Sequence, residues 1–310
     1  MQKIKIGNSK LDATRIGLGC WQAGGKGWGE DYGDNDIIDA IKYYIQKGGN
    51  YLDTAEVYGM GHSEELVKQA LSEVPRSKYI IATKVNPPHV KNFKTMEMSV
   101  NGSLKRLGLD IIDLYQLHWY EPYVPVSEIM YSMERLKLEG KISEIGVCNL
   151  SKPVLKDAVD SMKDYSIVSN QMEYSILERN IERELIPYMK EHNITLIPYS
   201  PLAKGLLTGK YKNGEIPGDN IRKGDELFNN PENRNIMKPI LNELEKMAAE
   251  MKCSMSQLSL AYLLHKNTLI IPGAKNRKQV ESNMGAEGIK LSKEDVENID
   301  RISSVEFIYN

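Results

Sequence analysis

Eight short apolar runs rich in strand-forming residues recur along the chain, at 16–20, 50–53, 79–84, 112–118, 144–148, 167–171, 195–199 and 269–272. Amphipathic stretches with helical periodicity separate them, at 36–47, 63–71, 95–107, 126–139, 152–161, 181–192 and 239–251. A strand that is apolar on both faces is buried on both faces, which is the condition of a parallel sheet covered by crossover helices. Eight such units predict an α/β fold of the (β/α)8 TIM-barrel type. A doubly wound open sheet shares the alternation, but no GxGxxG turn follows the first run to support it. At 310 residues the chain suits one barrel domain over 1–310, because this fold commonly needs ~250 residues or more. Two segments lie outside the eightfold pattern. Residues 2–14 read as a hairpin turning at Gly7-Asn8-Ser9, suited to plugging the N-terminal mouth of the barrel. Residues 205–238 form a Gly-, Asn- and Pro-rich connection too long for a plain linker, which predicts a lid.

Charge removes several function classes. Lys and Arg number 40 against 42 Asp and Glu, and the signs alternate along the helices, so there is no general attraction for nucleic acid or an anionic membrane. No apolar run reaches the ~18 residues that a bilayer requires, and the start of the chain lacks the apolar core of a signal peptide. A soluble, cytoplasmic protein is expected. Cys20, Cys148 and Cys253 are far apart with no CxxC spacing, so buried thiols are expected rather than a disulfide framework or a metal site.

The chemistry concentrates at strand ends. In an α/β barrel the C-terminal ends of the strands converge on one face, and this chain places Asp53, with Tyr58 just beyond it, at the second, Lys84 at the third and His118 at the fourth. Each has a plainer reading alone: a capping Asp, a loop Tyr, a solvated Lys at a strand edge, a core His beside Trp119. Their coincidence on consecutive strands favours chemistry. A free phenol titrates near ~10, so Tyr58 needs a cation to stabilise its phenolate. Lys84 can supply it, with Asp53 holding Lys84 charged. A fall of ~2 pH units in the Tyr58 pKa, corresponding to ~2.7 kcal/mol, is the expectation. His118 can donate to a carbonyl oxygen, whereas a hydride must come from a cofactor. Glu56, the other carboxylate of this turn, has no catalytic role on these grounds. A metal-dependent hydrolase is disfavoured because no HxH pair or carboxylate cluster accompanies Asp53 and His118.

The segments DTAEVYG, ATK and DLYQLHW, followed by IGVCNLS, SNQMEYS, PYSPLAKGLLTGKY and IPGAKNRKQVESN, resemble the aldo-keto reductase superfamily over nearly the whole chain. The bacterial and archaeal aldo/keto reductases are the nearest type, and the cofactor loops are similar also to the potassium-channel beta-subunit branch. The resemblance implies reversible, NADP(H)-dependent reduction of aldehydes and ketones to alcohols, with Tyr58 as the acid, Lys84 and Asp53 tuning it and His118 orienting the carbonyl. A regulatory subunit that binds the cofactor with little turnover is the alternative.

By the same resemblance, Asn149 and Gln171 hold the nicotinamide carboxamide with Cys148 and Trp21 nearby, and Tyr199 stacks on the ring. Ser200, Pro201, Leu202, Gly205, Leu207 and Lys210 wrap the pyrophosphate, joined by Arg222 from the lid. Gly273, Lys275, Gln279 and Asn283 take the adenosine end, where Lys275 and Arg277 favour the 2'-phosphate of NADP over NAD. Two positions depart from the family pattern: Cys148 stands where Ser is common, and Ser282 where Glu is common. Trp21, Trp28 and Trp119, with Tyr120, predict an aromatic substrate pocket without a carboxylate clamp. The short tail after Ile302 implies an open, permissive site.

Overall fold

The computed structural model describes residues 1–29, 31–211, 215 and 217–309. Strands β1 (Lys3–Lys5) and β2 (Asp12–Thr14) form an antiparallel hairpin with Lys3 opposite Thr14. Strands β3 (Leu18–Gly19), β4 (Tyr51–Asp53), β5 (Ile80–Val85), β6 (Ile112–Leu117), β7 (Ile142–Cys148), β8 (Ile167–Glu173) and β9 (Thr195–Tyr199) pair in parallel in their chain order. The run at 269–272 closes the ring without forming a regular eighth strand. Its Leu269 and Ile271 amides donate to Leu196 and Pro198 on one side, while Gly17 and Gly19 donate to Ile270 and Pro272 on the other. Pro198 and Pro272 have no N–H to complete either ladder, which explains the irregular seam.

Helices α1 (Asp34–Gln46), α2 (His62–Leu71), α3 (Phe93–Leu107), α4 (Val126–Leu138), α5 (Lys152–Ser161) and α6 (Leu185–Glu191) return the chain between successive strands. Local chemistry sets their ends. On α3, for example, Asn92 accepts from the Thr95 amide at the start, and Gly108 turns left-handed with φ of 67° at the end. The 205–238 connection holds the short helices α7 (Asn220–Lys223) and α8 (Glu226–Asn229), then the beginning of α9 (Pro231–Glu250). The helix expected over 239–251 thus starts eight residues earlier, capped by Asn230 with Pro231 at its first position, and Pro239 sits in its interior. Three further helices follow, α10 (Met255–His265), α11 (Arg277–Gly285) and α12 (Lys293–Ile302).

The hairpin plugs the barrel floor. Ile6 and Ala13 join Tyr51, Ile80, Ala82, Leu114, Ile197 and Leu269 in one apolar cluster. Gly7 is required there because its φ is 52° and a Cβ would lie 2.6 Å from the Val168 carbonyl. Side chains alternate along a strand, so Tyr51 and Ala82 in that interior put Asp53 and Lys84 on the same face, two residues nearer the C-terminal mouth. Leu114 does the same for Gln116. Among the described residues, no helix is long and apolar enough to cross a membrane.

Candidate active site

Asp53, Lys84 and His118 are buried at the C-terminal ends of β4, β5 and β6. Tyr58 is brought over them by a tight turn in which Gly59, Met60 and Gly61 all have positive φ, of 59°, 54° and 95°. Gly59 must lack a side chain, since a Cβ there would sit 2.5 Å from the Gly24 carbonyl. Lys84 Nζ lies 2.5 Å from Asp53 Oδ1, 2.8 Å from the Thr54 carbonyl and 3.3 Å from Tyr58 Oη. The other Asp53 oxygen accepts from Gln116 Nε2 at 3.1 Å and Gln171 Nε2 at 2.8 Å. Both oxygens of this buried carboxylate therefore have donors, as a charge out of water requires.

Electrostatics separates the roles. Burial is the largest influence and depresses the Lys84 ammonium, but Asp53, with Tyr58 and Cys148 adding to it, together outweigh burial and hold Lys84 above its usual value. Burial pushes the Tyr58 phenol up to about 12, and Lys84 offsets only part of that rise. The downward shift expected from the sequence is thus reversed, because the cost of desolvating a phenolate exceeds the attraction of one ammonium already paired with Asp53. His118 is pushed down to about 2 by burial and then by Lys84, so its imidazole is neutral. Its Nδ1 is buried with no hydrogen-bond partner among the described residues. The ring meets Tyr58 edge-on at 5.8 Å and stacks on Trp119 at 3.8 Å.

A cleft of about 1370 Å³ runs from this cluster along the barrel mouth. Tyr58, His118, Trp21, Trp28 and Trp119 line one end of it. Trp21 stacks on Tyr58 at 6.0 Å and meets Trp28 edge-on at 4.9 Å. Cys148, Asn149, Gln171 and Tyr199 line its floor. Asn149, at φ of 60°, donates to the His118 carbonyl and accepts from Tyr199 Oη at 2.9 Å. Ser200, Pro201, Leu202, Gly205 and Lys210 follow on the loop after β9, with Gly273, Lys275, Gln279 and Asn283 beyond. Positive φ at Ser200, Ala203, Lys204 and Gly205 curls the loop tightly.

Two expected contacts fall elsewhere. Leu207 is wholly buried beneath the loop, and Arg277 pairs with Asp39 of α1 outside the cleft. Gln22, Asp31, Lys204 and Lys278 line the cleft without having been singled out in the sequence. Lys278 stands one residue past Arg277, so a basic pair at the start of a helix was the available signal. Gln116 was signalled only by being polar within an apolar strand. The two departures are also placed: Cys148 Sγ is 3.2 Å from Asn149 Nδ2, and the Ser282 carbonyl accepts from Gln257.

The residues suit an extended anionic ligand. Lys210, Arg222, Lys275 and Lys278 all line the cleft, and a Cβ at Gly273 would come within 2.2 Å of Gln22, leaving backbone bare there. Arg222 ties its own segment to the loop after β9: Nε donates to the Lys204 carbonyl at 2.8 Å, a terminal nitrogen to Asp219 at 2.8 Å, and the guanidinium lies 5.1 Å above Trp28.

Known proteins agree with this architecture. The family model described as "Aldo/keto reductase family" matches residues 15–304. The chain is 32% identical to the NADH-specific methylglyoxal reductase of Escherichia coli, over 95% of this chain and 96% of that protein. Among solved structures, the glycerol dehydrogenase of Gluconobacter oxydans superposes with a TM-score of 0.86 at 30% identity, covering 97% of this chain and 94% of that one. An aldo-keto reductase from Klebsiella pneumoniae in complex with NADPH gives 0.78 at 30% identity, with 97% and 95% covered. The chain belongs to the aldo/keto reductase family.

Proposed function

We propose that this protein is an NADP(H)-dependent oxidoreductase that reduces aldehydes and ketones to alcohols and, in reverse, oxidises alcohols or aldoses. The observation that carries the reading is Lys84 Nζ set between Asp53 and Tyr58, at 2.5 and 3.3 Å, with the phenol facing the cleft. A nicotinamide cofactor supplies the hydride when bound. Tyr58 gives its proton to the carbonyl oxygen. A phenol raised to about 12 is protonated at every physiological pH and so ready to donate, and Lys84 stabilises the phenolate as it forms. Neutral His118 orients the carbonyl and donates to its oxygen. Asp53 acts only through Lys84. Asn149, Gln171 and Tyr199 hold the nicotinamide end, and the 200–210 loop with Arg222 holds the pyrophosphate.

The preference for NADP rests on Lys275 with Lys278, which line the cleft, whereas Arg277 lies outside it, paired with Asp39. The family accommodates either cofactor, as the NADH-specific Escherichia coli relative and the NADPH-bound Klebsiella protein illustrate. Trp21, Trp28 and Trp119 favour a small carbonyl substrate with an apolar body. Following loss of NADPH absorbance with a panel of aldehydes and ketones tests the reaction, and Tyr58→Phe should lower kcat by ~10²–10⁴-fold while cofactor still binds. Retained turnover in that variant removes Tyr58 as the acid. Tight NADPH binding without turnover on any carbonyl supports the regulatory-subunit reading instead.

A further inference from the structure

Lys275, the cation best placed for a 2'-phosphate, is already engaged. Its Nζ donates to the Trp28 carbonyl at 2.7 Å and to Asp31 Oδ1 at 2.7 Å, and it lies 4.6 Å from the Tyr32 ring. The lysine side chain is only 13% exposed, whereas Asp31 is 71% exposed and lines the same cleft. Lys275 and then Lys210 act on this carboxylate, whose pKa is held below the usual range. Asp31 therefore stands as an internal anion against the cations that would receive cofactor phosphate.

We propose that Asp31 is a specificity-determining residue that narrows the preference for NADP(H) over NAD(H) by competing with the 2'-phosphate for Lys275. The inference rests on the reading that the cleft holds a nicotinamide cofactor with its adenosine end at Lys275. A phosphate arriving there meets an ammonium already neutralised and a carboxylate of like charge beside it. A ribose 2'-hydroxyl carries no charge and can donate to that carboxylate, so the unphosphorylated cofactor escapes the penalty.

Dissociation constants for NADPH and NADH, and for the fragments 2',5'-ADP and 5'-ADP, measured at fixed ionic strength by calorimetry, decide it. Asp31→Asn should tighten NADPH and 2',5'-ADP about 3- to 5-fold, the range of an exposed ion pair, with NADH and 5'-ADP unchanged or weakened. Asp31 is exposed, so the variant should fold normally. Lys275→Met is the control and should weaken NADPH and 2',5'-ADP selectively. An unchanged NADPH-to-NADH ratio in Asp31→Asn, or equal weakening of both cofactors, overturns the proposal while a selective loss in Lys275→Met leaves the underlying reading intact. No selective loss in Lys275→Met removes Lys275 as the phosphate ligand, and the role of Asp31 with it.

Discussion

Gln171 donates its side-chain amide to Asp53 at 2.8 Å, joining a residue that lines the cleft to the carboxylate that holds Lys84. Gln116 donates to the same oxygen at 3.1 Å and accepts from Gln171 at 3.4 Å. The two amides are the only hydrogen-bond donors to Asp53 Oδ2 among the described residues, so removing one leaves a buried anion short of a partner. Replacing Gln116 by Leu should cost ~1–3 kcal/mol in urea unfolding and lower kcat more than it raises the KM for cofactor. Gln171→Leu should show the same stability loss together with weaker cofactor binding. Equal kinetic behaviour of the two variants would contradict this division.

The acid and the orienting histidine define an unusual pH response. His118, with its pKa at about 2, remains neutral, while Tyr58 at about 12 remains protonated. Neither group should give an inflection in kcat/KM for reduction between pH 5 and about 9. The oxidative direction needs the phenolate and should accelerate as pH rises. An inflection near 6.5 that disappears in His118→Gln would show that the imidazole titrates after all.

Stability follows from the same histidine. Unfolded, His118 returns to ~6.5, so below that pH the unfolded chain binds a proton that the folded chain refuses. Stability attributable to this group is therefore full above about 6.5 and falls as the pH drops, at ~1.4 kcal/mol per pH unit. Between pH 7 and 5 the wild type should lose about 2 kcal/mol more than His118→Gln. Denaturant unfolding of both proteins at the two pH values measures it.

Glu56 is two residues before Tyr58 and nearly buried. Its carboxylate accepts from the Asn86 amide at 2.7 Å, from His89 at 2.9 Å and from Ser99 at 2.6 Å. Asn86 and His89 lie just beyond Lys84, so these bonds fasten the turn carrying the phenol to the strand end carrying the ammonium. The sequence alone offered no role for Glu56, and the role found is one of position. Glu56→Ala should lower kcat and destabilise by ~1–3 kcal/mol. Glu56→Gln keeps an acceptor for the Asn86 amide and should recover much of both.

What could be read in the sequence was what repeats or alternates. Seven runs became strands, and the ends of three of them located Asp53, Lys84 and His118 without reference to contacts. The irregular seam at 269–272 depends on two prolines from different strands meeting, which no local pattern announces. Helix α10 has no polar face: Leu258, Leu260, Ala261, Leu263 and Leu264 are all buried, so the contrast that marks a surface helix is missing. Side-chain partnerships across long separations were equally silent. Asp39 reaches Arg277, Asp31 reaches Lys275, and Gln116 reaches Asp53 only once the barrel closes. The direction of the Tyr58 shift failed for a related reason, since the depth of burial competes with the lysine and is a property of the folded site.

The lid gives the last test. Arg222 makes directional bonds in the plane of its guanidinium, from Nε to the Lys204 carbonyl and from one terminal nitrogen to Asp219 and Tyr211, while a face lies over Trp28. A lysine keeps the charge but cannot reproduce the planar fork or its stacking. If the arginine served only to neutralise phosphate, Arg222→Lys would behave like wild type. Because the fork fixes the lid to the barrel loop, Arg222→Lys should instead raise the cofactor KM ~10-fold, equivalent to ~1.4 kcal/mol, with kcat unchanged or higher as release quickens. Stopped-flow measurement of cofactor dissociation separates the cases, and an unaltered off-rate in the lysine variant would sink the lid-fastening role.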